Sequence, residues 1–161
     1  MDAGFTAIIG CGNPARCDDG AGLAVIALLS GMALPGNVAL FDAGTDGMSV
    51  MYRARGAARL VIVDARAPEG APGAIYRVPG NMLEAEPVHG AGLHAFRWDH
   101  ALFVGRKLYG EAFPADVAVF LIEAQTLDFG IGLSAPVSTA AQSVANRIYA
   151  DLPKRAALAQ G

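Results

Sequence analysis

The sequence predicts an α/β protein: a three-layer α/β/α sandwich around a mostly parallel, roughly five-stranded twisted sheet. Three observations carry this reading. The runs from Arg59 to Val63 and from Val117 to Ile122 are apolar without alternation, as in strands buried on both faces of a parallel sheet. Strand-like runs alternate with helical segments, the pattern of a parallel sheet covered on both sides. Several strands lead into carboxylates or glycine-rich turns, and ligands of open α/β sheets bind at the carboxyl ends of the strands.

The bulk properties fit one domain spanning 1–161. The chain has 161 residues, 53% of them hydrophobic and 17% charged. The charged share lies below the ~25% of ordinary globular proteins, so a large fraction must be buried, the opposite of a disordered chain. The net charge of −3 comes with no basic cluster, which argues against a nucleic-acid partner. Asp2 stands where a signal peptide needs positive charge. The most apolar stretch, Ala21 to Leu34, holds two glycines and is shorter than the ~20 residues that span a bilayer. The expectation is a cytoplasmic protein with no membrane partner. Cys11 and Cys17 flank the first loop. A Cys-x5-Cys pair alone is not a zinc pattern, and a reducing compartment argues against a disulfide.

Taken in order, Thr6 to Gly10 is a first strand, and Asn13-Pro14 marks a turn. A helix opens near Asp18 or Asp19, either of which suits its N-cap. It is apolar nearly all round, hence buried between layers, and Leu34-Pro35-Gly36 stops it. Val38 to Phe41 is a second strand ending on Asp42-Ala-Gly-Thr45, followed by a helix from about Gly47 to Gly56. The third strand, Arg59 to Val63, ends on Asp64. Ala74 to Val78 is a fourth strand at an edge, where Arg77 is tolerated. Pro79 to Leu93 is irregular and leads to His94, and loops of this length in compact domains tend to be functional. A helix spans about Asp99 to Tyr109. Val117 to Ile122 is a fifth strand ending on Glu123, and Pro136 to Tyr149 is a last helix with Pro near its first position. A frayed tail is expected over 151–161.

The strand ends gather Asn13, Asp18, Asp19, Asp42, Asp64 and Glu123. Carboxylates brought together raise one another's pKa unless a cation joins them, and Arg16 and Arg66 are the nearby candidates. Asp at the end of a buried strand also caps helices and turns without doing chemistry, and Glu123 serves as a brace for the turn before Asp128-Phe-Gly130. Of the histidines His89, His94 and His100, His94 lies at a loop–helix junction. Two carboxylates and an imidazole with open positions suit a borderline divalent metal. Without metal, the same groups serve as acid and base. Gly10-Cys-Gly12 opens a helix as a nucleotide loop does, but Pro14 and two carboxylates ahead of the helix would repel a pyrophosphate.

These residues together resemble the nickel–iron hydrogenase maturation endopeptidases. Gly10-Cys-Gly12-Asn13 followed by Asp18-Asp19-Gly20-Ala-Gly22 matches that family's G-x-G-N and D-[DE]-G-x-G. Asp42-Ala-Gly44-Thr45 matches D-x-G-T, Val63-Asp64-Ala65 matches V-D-A, and His94 with Leu102 matches the histidine with a leucine eight residues on. Ile122-Glu123 and Leu133-Ser134 complete the series in order. The resemblance implies a phosphorylase/hydrolase-like fold. It implies an aspartic-type endopeptidase that removes the C-terminal extension of a nickel-loaded hydrogenase large-subunit precursor. It assigns Asp19, Asp64 and His94 as metal-contacting and catalytic residues. Asp19 stands where many members have Glu. Asp42, Gly44 and Thr45 are expected to receive the substrate's C-terminal segment. Three ligands without a thiolate leave a nickel site incomplete, so nickel is expected to arrive with the substrate, whose cysteine thiolates complete its environment. Two alternatives remain: a non-catalytic nickel-recognition or assembly chaperone for hydrogenase, and a peptidyl-tRNA hydrolase-like enzyme, which also opens with G-x-G-N-P.

Overall fold

The structure, a computed structural model, describes residues 4–78, 80–83 and 98–154. Five strands are present: β1 (Thr6–Cys11), β2 (Val38–Gly44), β3 (Arg59–Arg66), β4 (Ile75–Arg77) and β5 (Asp116–Glu123). They form one sheet in the order β2-β1-β3-β5-β4. The first four in that order are parallel, and β4 lies antiparallel on β5 at the edge, where the sequence puts it. The helices are α1 (Ala21–Ser30), α2 (Gly47–Ala54), α3 (Trp98–Tyr109) and α4 (Ala135–Asp151).

Period-two alternation divides the strand residues between two apolar clusters. Ile8, Val61, Val63, Ala118, Phe120 and Ile122 pack with residues of α1 and α4. Ala7, Ile9, Leu60, Ile62 and Val119 pack with residues of α2 and α3. Register aligns these sets, with Ile8 opposite Val61 and Val61 opposite Ala118. Both faces are therefore buried, and the α/β/α sandwich follows. Each fully buried Ile, Leu or Val contributes about 1.5–3 kcal/mol.

Two strand ends and one helix start differ from the sequence reading. β3 continues past Asp64 to Arg66 because β5 extends beside it, pairing Asp64 with Leu121 and Arg66 with Glu123. β2 continues through Asp42 to Gly44, with a shift in register against β1 between Gly10 and Cys11. Ahead of α1 the chain takes one 3-10 turn, Cys17–Gly20, and neither aspartate caps the helix. At the far end, Leu152 is packed into the α1/α4 cluster. Among the described residues, no helix is long and apolar enough to cross a membrane.

Close packing fixes the position of α1. A Cβ on Gly22 would lie 2.4 Å from the carbonyl oxygens of both Cys11 and Val63. The first turn of α1 therefore sits directly on the ends of β1 and β3, which brings the loop after β1 next to Asp64.

Candidate active site

A cavity of about 670 Å³ opens at the carboxyl edge of the sheet, of a size that suits a ligand or peptide segment. Asp19 and Asp64 both line it, with Asn13, Arg16, Gly44, Thr45, Asp46 and Trp98 among the remaining wall residues. Asp64 shares the strand face of Leu60 and Ile62 by alternation, which directs it toward the α2/α3 layer. It is buried, and its carboxylate accepts from the Ala65 N–H at 2.8 Å.

Asp19 is half-buried and reaches the cavity from the 3-10 turn. Its Oδ2 accepts from the backbone N–H of Asn13 at 2.8 Å. This contact needs Gly12. That residue has φ of +129°, and a Cβ there would fall 1.8 Å from the Asp19 carbonyl oxygen. Only glycine allows the two segments to cross so closely. The G-x-G-N and D-D-G motifs are thus one structure: the glycine makes room, and the following amide holds the carboxylate.

The neighbouring Asp18 has a different task. It is fully buried. Its Oδ1 accepts from Ser134 N at 2.7 Å, and its Oδ2 from Ser134 Oγ at 2.8 Å, Gln125 N at 2.8 Å and Thr126 N at 3.3 Å. Burial alone would push its pKa up. The hydrogen bonds from Ser134, Gln125 and Thr126 together outweigh that and hold it below the ordinary carboxylate value. Asp18 thereby ties the segment after β5 to the segment after β1, a role the sequence alone does not separate from that of Asp19.

The Asp42–Thr45 segment divides in the same way. Gly44 and Thr45 line the cavity, whereas Asp42 is exposed and accepts from Gly44 N at 2.8 Å, shaping the turn. Gly44 has φ of +53° and open space around it. Asp46, which the sequence reading does not single out, lines the cavity and caps α2 by accepting from Met48 N at 3.0 Å. The Asp-Gly pair ahead of a helix is the available signal.

Glu123 braces a different turn from the one expected. It is fully buried, its carboxylate accepts from Ala71 N, and its backbone pairs with Gly73 and Ala74. Of the two candidate cations, Arg66 pairs with Glu69 at 2.6 Å and stacks on Tyr76, leaving Arg16 at the cavity wall. His94 and His89 lie outside the described residues. Trp98, four positions after His94, lines the cavity. His100 is half-buried on α3, its ring 3.5 Å from the Asp99 carboxylate. Among the described residues, no three His, Cys, Asp or Glu are grouped to hold a metal ion.

Residues 23–151 match the family model for hydrogenase maturation protease. The chain belongs to that family. Its fold is that of several solved members. The hydrogenase maturating endopeptidase HybD from E. coli superposes with a TM-score of 0.74 at 20% identity, covering 91% of this chain and 90% of that one. The [NiFe] hydrogenase maturation protease HybD from Thermococcus kodakarensis gives 0.67 at 26% identity, covering 89% and 96%. The Hydrogenase 3 maturation protease gives 0.69 at 20%, covering 95% and 94%. No curated protein sequence matches. As a member of this protease family, the chain carries Asp19 and Asp64 at the wall of a single cavity.

Proposed function

We propose that this protease removes the C-terminal extension of a nickel-loaded nickel–iron hydrogenase large-subunit precursor. The observation that carries the reading is the convergence of Asp19 and Asp64 on one cavity at the carboxyl edge of the sheet. Gly44 and Thr45 receive the substrate's C-terminal segment along the β2 side of that cavity, and Asp42 sets the turn that presents them.

Nickel enters as part of the substrate. Asp19 and Asp64, with His94 as the family resemblance assigns it, would offer nickel a donor set with open positions, and the precursor's cysteine thiolates would complete it. Bound there, the ion supplies positive charge beside Asp19 and Asp64. The chain then distinguishes a loaded precursor from an empty one, because an empty precursor brings no metal charge to Asp19 and Asp64. Cleavage is aspartic in type. One carboxylate takes a proton from the attacking water as the C–O bond forms, and the resulting carboxyl group gives that proton to the departing amine as the C–N bond breaks. The amide contacts of Asp19 and Asp64 keep both side chains oriented toward the cavity.

The test is intact mass. Incubation with the cognate nickel-containing precursor shortens it by the C-terminal extension, and the nickel-free precursor stays whole. Asp19→Asn and Asp64→Asn each lower the rate by about 100-fold or more while the fold persists, since Asn still accepts the same amide bond. An unchanged mass of the loaded precursor overturns the protease reading in favour of a chaperone.

A further inference from the structure

Phe129 and Ile131 are 84% and 86% exposed, the most exposed large hydrophobic residues among those described. They sit on the connection between β5 and α4, and that connection is firmly held. Asp18 anchors it at Gln125, Thr126 and Ser134. Its middle is clipped to the first loop, with Cys17 N donating to Gly130 O and Gly130 N to Ala15 O, both at 2.9 Å. Two large apolar side chains held in water by an ordered loop gain almost no burial in the isolated chain. They are the pre-organised anchors that protein interfaces use, since little ordering cost remains at binding.

The patch is continuous with the catalytic cavity through Arg16. Its Nε donates to Leu127 O at 3.0 Å, and its guanidinium stacks over the Phe129 ring at 5.1 Å from the centroid. Arg16 and Leu127 both line the cavity. Among the described residues Arg16 has no carboxylate partner, so its remaining donors suit carbonyl or carboxylate oxygens of an incoming polypeptide. We propose that Phe129, Ile131 and Arg16 form a docking lip for the body of the large-subunit precursor. Its apolar surface covers the two side chains, and its C-terminal segment passes Arg16 into the cavity. This rests on the processing reading above.

The experiment compares the wild-type chain with the Phe129→Ser/Ile131→Ser double variant and with Leu108→Ser, an exposed residue of α3. Binding to the nickel-loaded precursor and its cleavage are both measured. The double variant is expected to raise Kd and KM by about 10-fold or more, with kcat at saturation within about 2-fold and an unchanged melting temperature. Leu108→Ser is expected to match wild type. Equal Kd and KM for the double variant overturn the docking lip. So does a wild-type dimer that the double variant dissociates, because the patch then belongs to a second copy of the chain. Binding without cleavage by wild type overturns the protease reading but leaves the lip to be judged on Kd. Neither binding nor cleavage overturns both.

Discussion

Asp18 and Ser134, 116 positions apart, are joined by two hydrogen bonds, one from the Ser134 amide to Oδ1 and one from its hydroxyl to Oδ2. The carboxylate is fully buried and also accepts from Gln125 and Thr126. It therefore holds the loop that carries Asp19 against the loop that carries Phe129. Asp18→Ala removes the acceptor of four part-buried hydrogen bonds and should cost about 2 kcal/mol or more. Chemical denaturation measures it as a lower midpoint at unchanged slope. A loss within about 0.5 kcal/mol would mean that water replaces the carboxylate without penalty.

The same carboxylate gives the acid limb of stability its sign. Its folded pKa lies below the ordinary value of 3.8, so the unfolded chain binds more protons in that range. The stabilisation is fully present above 3.8 and is lost as pH falls through the folded pKa. Asp18→Asn cannot titrate. Its stability is expected to be lower at neutral pH and to fall less steeply than wild type below pH 3.8, as thermal melts across that range would record.

How much of this is legible in the sequence depends on whether a residue's partner is near it in the chain. The apolar runs of β3 and β5 indicate a parallel sheet because burial on both faces leaves a local mark. The place of Asp19 and Asp64 at the carboxyl edge is legible because Asp64 lies near the end of one strand and Asp19 on the connection that follows another. The end of β3 is not, since Arg66 stays in the sheet only through its pairing with Glu123. Asp18 and Asp19 look alike in sequence. What separates them is Ser134, visible as part of Leu133-Ser134 but with nothing local to say which aspartate it meets. Arg16 is legible as a cation near the carboxylates, though not its stacking on Phe129.

Gly22 tests the packing of α1 on the sheet. A methyl group there would meet two backbone carbonyls at 2.4 Å, and backbone cannot swing aside as a flexible side chain does. Gly22→Ala should destabilise by about 1–3 kcal/mol. Processing should fall further than the folded fraction accounts for, because the displaced helix start carries Asp19 away from Asp64. Activity that tracks the folded fraction alone would show that the catalytic geometry tolerates the shift.

Gly44 tests the β2 side of the cavity. Its φ of +53° disfavours a side chain, yet nothing lies within 4 Å of where a Cβ would stand. Gly44→Leu should therefore cost only about 1–2 kcal/mol of backbone strain while filling space that the substrate segment needs. KM for the precursor is expected to rise in a protein that remains folded by circular dichroism. Normal processing by the folded variant would reduce Gly44 to a turn residue.

The histidines separate the third proposed ligand from its neighbour. His100 lies on α3 beside Asp99, and His94, the proposed third ligand, precedes that helix in the sequence. If His94 joins Asp19 and Asp64 toward nickel, it does so as neutral imidazole, and protonation competes with that role. Nickel-dependent association with the loaded precursor should then weaken as pH falls through the free imidazole's ~6.5. His94→Ala should remove both this pH dependence and most of the processing activity. His100→Ala should keep both, with at most a modest loss of stability from the half-buried ring. Binding followed by calorimetry from about pH 5.5 to 8, a window that brackets the imidazole titration, with intact mass as the activity readout, distinguishes the two. Retention of activity and pH dependence by His94→Ala, with their loss in His100→Ala, would transfer the ligand role to α3.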